Sequence, residues 1–135
     1  AIGSPRALKV AAALSGHDSP VVRAAVADAL CRVPNDATLF TLSVLLCDDS
    51  ALVRERAAAS LGFLASPRAL PMLQASMRDA SWMVRRRSAL ALAQLGESGR
   101  LAVRVLTMDP DPYVANMATV VSGLSGGALL ELTEN

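Results

Sequence analysis

The feature that most restricts this chain is that it repeats itself. Ser4-Pro5-Arg6-Ala7-Leu8 returns letter for letter as Ser66-Pro67-Arg68-Ala69-Leu70, an offset of 62, or twice 31. Asn35-Asp36-Ala37-Thr38-Leu39 lies halfway between them, and one more step of 31 reaches Glu97-Ser98-Gly99-Arg100-Leu101. A second series interleaves with the first: Ser19-Pro20-Val21-Val22-Arg23, Ser50-Ala51-Leu52-Val53-Arg54 and Ser81-Trp82-Met83-Val84-Arg85. Asp111-Pro112-Tyr113-Val114-Ala115 is a weaker fourth copy at a spacing of 30. Such periodicity marks a row of supersecondary units that each need a neighbour to bury their apolar face. Leu8, Leu39, Leu70 and Leu101 are therefore expected to share one seam.

Both series read as helix starts. Ser19, Ser50, Ser81 and Asp111 stand where an N-cap should accept a first-turn N–H. Pro20 and Pro112 follow at N1, where a missing donor does no harm. Ser4-Pro5 and Ser66-Pro67 repeat the arrangement, and Asp18, Asp49, Asp79 and Asp109 sit just outside the caps, near the positive helix ends. The pattern predicts helices at about 5–15, 20–33, 36–46, 51–65, 67–77, 82–95, 98–108 and 112–123, with a frayed piece near 128–132. The linkers are short, so neighbours are antiparallel hairpins. The expected fold is all-α, a right-handed solenoid of about four hairpins filling residues 1–135 as a single repeat domain, and part of a longer protein.

Composition removes other classes. The chain has 135 residues, 53% hydrophobic, 3% aromatic and 19% charged. Leu, Ile and Val at this level exclude a disordered chain. No apolar run reaches the roughly 18–20 residues that a bilayer requires. Lys+Arg 13 against Asp+Glu 12 leaves a net charge of +1, so no global field drives the chain onto nucleic acid or membrane. Cys31 and Cys47 are too few for a disulfide framework and read as small, buried, reduced thiols.

The pattern Asp-x-x-x-Val-Arg-x-x-Ala, in Asp18…Val22-Arg23…Val26 and Asp49…Val53-Arg54…Ala57, resembles HEAT repeats. The 31-residue period is similar to the short HEAT-like variety of phycobilisome lyases. The resemblance spans residues 4–124. It is specific for the fold and unspecific for function, since such repeats occur in scaffolds, lyase subunits, hydroxylases and DNA glycosylases. With no catalytic constellation in the sequence, the expectation is a bacterial, cytoplasmic scaffold or regulatory module that binds another protein or a neighbouring domain, with no enzymatic activity and no cofactor. End-to-end self-association through the terminal apolar faces fits the same picture. A nucleic-acid-binding module using an arginine-rich helix face is the alternative, and it would show steep salt dependence.

Individual residues refine this. Asp18, Arg23, Asp49, Arg54, Asp79 and Arg85 recur once per repeat and suit a structural ladder, each guanidinium bonding an Asp or loop carbonyls. Ala115 in the last Arg position ends that ladder. Arg85-Arg86-Arg87 fans around its helix, and Arg56 shares the slot of Arg87, so a basic surface would use Arg56, Arg86 and Arg87. Trp82, at the first helical position of its repeat, either folds over a neighbouring loop or anchors a partner. Phe40, Val44 and Met72 are assigned to second helices, which line the concave side of HEAT-like folds, and either form an apolar binding strip there or pack against adjacent helices. His17 is the sole histidine and reads as a solvated loop residue. Neither a metal set nor a catalytic dyad can be assembled around it. Gly126-Gly127 reads as a turn or tail.

Overall fold

A computed structural model describes residues 5–124, Ala128 and residues 131–133. The helices are α1 (Pro5–Leu14), α2 (Pro20–Leu30), α3 (Asp36–Leu45), α4 (Ala51–Leu64), α5 (Leu70–Ser76), α6 (Trp82–Gln94), α7 (Glu97–Leu106) and α8 (Pro112–Ser122). A 3₁₀ turn, Pro67–Ala69, leads into α5. The described residues contain no strand. Of the piece expected near 128–132, Ala128, Glu131 and Leu132 are helical. Residues 129–130, like Ser4 and Gly126-Gly127, lie outside the described set.

Consecutive helices pair as hairpins, and the hairpins stack in two layers. The even-numbered helices form one layer: α4 packs along both α2 and α6, and α6 continues onto α8. Small residues allow this close approach, since Ala27, Ala57, Ala58, Ser60, Gly62, Ala89 and Ala91 are all buried. A Cβ on Gly62 would lie 2.7 Å from the Ala91 Cα, so only glycine lets α4 and α6 meet at that point. In the other layer α3, α5 and α7 barely touch one another. A stack that is crowded on one side and splayed on the other curves toward the crowded side. The even-numbered helices are thus the inner layer and the odd-numbered helices the outer one.

The core lies between the layers. Leu42 and Leu45 of α3, Val53 and Leu61 of α4, Leu73 of α5, Val84 and Leu92 of α6 and Val114 of α8 are essentially sealed from solvent. Each such side chain contributes roughly 1.5–3 kcal/mol relative to exposure. Leu8, Leu39 and Leu70 line one edge of this core, half-buried, as the shared seam requires.

Leu101 breaks the seam, being 56% exposed. A strict step of 31 from Ala69 and Leu73 would put Arg100 and Arg104 into the core of the fourth hairpin. Burying two unpaired guanidinium groups is prohibitive. Instead α7 is set one residue back, so that Gly99 and Val103 are buried and both arginines face solvent. The linker permits the slip. Gly96 takes a φ of 92°, and α7 starts directly at Glu97 without the 3₁₀ turn that precedes α5. Gly99 then approaches α6 so closely that a Cβ would meet the Leu92 carbonyl oxygen at 1.7 Å.

The helix starts also correct one expectation. Ser19, Ser50 and Ser81 occupy the N-cap positions but make no side-chain cap bond. Their own backbone N–H groups donate to the residue two places earlier: Ser50 N to Asp48 Oδ1 (2.9 Å) and Ser81 N to Asp79 Oδ1 (2.8 Å). The serine marks the start, while the preceding acid holds the turn. Side-chain capping occurs at Asn35, Ser66 and Asp111.

Candidate functional site

The recurring arginines form a ladder across the hairpins. Arg23 Nε and Nη2 donate to Asp48 Oδ2 and Oδ1 at 2.7 and 3.0 Å. Arg54 does the same to Asp79 at 2.8 and 3.1 Å, and each pair lies 25 residues apart. The third corner of each fork, Nη1, donates to loop carbonyls: His17 and Asp18 for Arg23, Asp48 and Asp49 for Arg54. One side chain thus ties the loop before its own helix to the loop of the next hairpin. The hydrogen bond from Arg23 holds the Asp48 carboxyl below the usual carboxylate range.

Two ladder expectations change. The acid of the first rung is Asp48, and neither Asp18 nor Asp49 contributes its carboxylate, only a backbone carbonyl. Arg85 has no acid at all among the described residues. Its Nη1 bonds the Asp79 and Ala80 carbonyls as in the sister repeats, but the position 25 residues on is Pro110. The slip in the fourth hairpin moves the equivalent acid to Asp109, which accepts from the Asp111 N–H and is held by Arg78 at 3.1 and 2.6 Å. Arg85 lies under the Tyr113 ring instead, 5.2 Å from its centroid, and its buried Nε is unpartnered. At the opposite end His17 occupies the ladder-acid slot, 31 residues before Asp48, and its Nδ1 accepts the Ser19 N–H at 3.0 Å. A solvated loop residue in the sequence reading, it does the turn-holding part of the aspartate's work.

The candidate binding residues fall on two different faces. Phe40 (72% exposed) and Val44 lie on α3, and half-buried Met72 on α5. These helices form the outer layer, so the expected concave strip is on the splayed side. The two layers share one period, and only packing tells them apart. Arg56 and Arg87 lie on the inner layer but do not offer free positive charge. Arg56 pairs with Asp28 at 2.8 Å. Arg87 is held against Glu55 at 3.9 Å, and burial pushes its guanidinium below its ordinary value. Its Nη1 also points at the Leu132 carbonyl oxygen, 3.5 Å away. Arg86, half-buried beside it, adds little to an open basic surface. Trp82 stands 59% exposed at the first turn of α6.

A row that sequence reasoning missed is the more continuous feature. Val21, Leu52, Met83 and Tyr113 occupy one repeat slot, on successive inner helices, and all four are exposed. On α4 this slot opens the solvent-facing stripe Leu52, Arg56, Ala59 and Phe63, whose spacing of four, three and four residues follows one helix face. The signal was present in the repeat alignment: each member stands directly before the valine of its repeat, buried at Val53, Val84 and Val114 and half-buried at Val22. Cys31 is half-buried and Cys47 exposed, which corrects the expectation of two buried thiols. Cys47 lies in the turn just after α3. Among the described residues there is no cluster of three or more His, Cys, Asp or Glu able to hold a metal, and no helix long and apolar enough to cross a membrane.

Stacked antiparallel hairpins, the first three joined by the Arg23–Asp48 and Arg54–Asp79 ties, define the chain as an α-solenoid of short helical repeats. The profile of HEAT repeats matches residues 7–93 and again residues 40–123. The chain belongs to the HEAT repeat family. No curated protein matches it.

Proposed function

We propose that the chain is a protein-binding module that takes its partner, another protein or a neighbouring domain of its own parent, along the inner face. The observation that carries this reading is the row Val21, Leu52, Met83 and Tyr113, exposed in every hairpin and flanked by Trp82. HEAT repeats generally mediate protein–protein interaction, and a stacked row of apolar side chains suits an extended partner segment. Large apolar and aromatic residues of this kind supply the anchors of protein interfaces. The nucleic-acid alternative is less well supported, because Arg56 and Arg87 already face Asp28 and Glu55. A scaffold of this sort acts by position and needs no chemistry of its own.

The test is a photo-crosslinking amino acid placed at Met83 and, separately, at Phe40, in cells that express the full-length parent. Crosslinks to a protein from Met83, lost when Leu52→Asp is added, support the inner face. Crosslinks only from Phe40 would move the interface to the outer layer. Recovery of nucleic acid with steep salt dependence would favour the alternative.

A further inference from the structure

The incomplete third rung defines what the inner-face partner carries. Arg23, Arg54 and Arg85 are three copies of one device, and each directs Nη1 at two loop carbonyls. In the first two copies the remaining edge, Nε with Nη2, grips an aspartate in the two-pronged geometry that guanidinium and carboxylate share. In the third copy that edge has no hydrogen-bond partner among the described residues, and its Nε is shut away from water. Two causes act together. Pro110 falls at the 25-residue interval that holds the aspartate in the sister copies, and Asp109, the acid of this turn, is already paired with Arg78.

What lies against the face of this guanidinium is a ring that can leave. Tyr113 is stacked on Arg85 and is 68% exposed, so turning it aside uncovers the guanidinium and gives up little packing. Tyr113 is also the last member of the apolar inner row. An apolar segment lying along Val21, Leu52 and Met83 therefore reaches Arg85 at the end of its track.

We infer that Arg85 is a carboxylate-recognising position, and that the partner segment bound along the inner row carries an aspartate or glutamate that completes the third rung. The inference rests on the inner-face reading above and adds the partner's chemistry to it. The orphaned Nε explains why a charged side chain is useful there. An unpaired buried donor gains most from a group that the two sister sites already show to fit.

The test uses the chain labelled with ¹⁵N-arginine and follows the Nε–H signals by NMR, the Arg85 signal being identified by its loss in Arg85→Lys. The probe is a blocked hexapeptide copying this chain's own rung, residues 77–82. A second peptide carries Asn in place of its aspartate, and sodium acetate matches the carboxylate concentration. The expected result is a downfield shift of the Arg85 signal toward that of Arg54 with the aspartate peptide. Half-saturation should come at least tenfold below that of acetate, with no shift from the asparagine peptide. Tyr113→Ala should strengthen the response. Equal shifts with acetate would reduce the position to a general anion site and overturn the proposal. A silent Arg85 signal in both the wild type and Tyr113→Ala would overturn it too. Either failure leaves the Met83 crosslinks standing, so it is distinguishable from failure of the inner-face reading.

Discussion

Removing the Arg54 side chain should open the stack between the second and third hairpins. Arg54→Ala deletes two hydrogen bonds to the Asp79 carboxylate, at 2.8 and 3.1 Å, and two to loop carbonyls, at 2.7 and 3.0 Å. The partners retain only 17% and 12% of their side-chain exposure, so the aspartate left behind is poorly rehydrated. Breaking a buried pair from one side costs about 3–5 kcal/mol, and the residual access to water brings the expectation to about 3 kcal/mol. For a chain of this length that is a fall in Tm of about 10 °C. Arg86→Ala, which breaks no ion pair among the described residues, should stay within about 1 kcal/mol. Thermal unfolding followed by circular dichroism measures both. A double-mutant cycle then apportions the loss: Arg54 with Asp79 should couple by about 2 kcal/mol, and Arg54 with Asp49 by less than about 0.5 kcal/mol. Equal losses for Arg54→Ala and Arg86→Ala would refute the ladder. Equal coupling to Asp49 and Asp79 would refute the assignment of its acids.

Three further outcomes follow from the geometry. Gly99→Ala should destabilise by at least about 3 kcal/mol in urea unfolding, because its Cβ would meet a backbone carbonyl that cannot yield, whereas Gly123→Ala, with no atom nearer than 3.6 Å, should be mild. The Asp48 carboxyl is depressed by Arg23, so its contribution is present above the ordinary carboxylate range, near pH 4, and is lost as pH falls through the lower folded value. Melting curves should therefore be nearly flat from about pH 7 to pH 5 and fall steeply below about pH 4. Asp48→Asn should start lower and fall less. Exposed Cys47 should react with a thiol reagent in the folded protein about tenfold faster than half-buried Cys31. Matching rates would mean that the turn after α3 is differently packed.

The helices and their order were legible because caps, prolines and apolar slots repeat in phase. The seam was legible through Leu8, Leu39 and Leu70, and it failed at Leu101 for a reason that pattern matching passes over. Position counting gave Arg100 and Arg104 core slots that their charge cannot accept. The ladder arginines were equally readable, but adjacent Asp48 and Asp49 are indistinguishable by letter. Which one faces Arg23 depends on the path of the loop. Phe40 and Val44 were read onto the wrong face because period alone does not say which layer of a curved stack is inner. The exposed row was overlooked for a related reason: in sequence Leu52 and Met83 look like core residues, standing next to Val53 and Val84, which are.

The single-residue setback of the last hairpin bears on how this architecture could be rearranged. The second and third hairpins are in frame, and each supplies the rung aspartate, Asp48 or Asp79, to the arginine of the hairpin before it, so duplicating one of them would keep that rung. The last hairpin is not interchangeable in this way. Moved inward, it would present Pro110 and Ala115 to neighbours built for an acid and an arginine, and the joint would be untied on both sides. Gene duplication or modular engineering could lengthen the array from its middle, but not by adding copies of its tail.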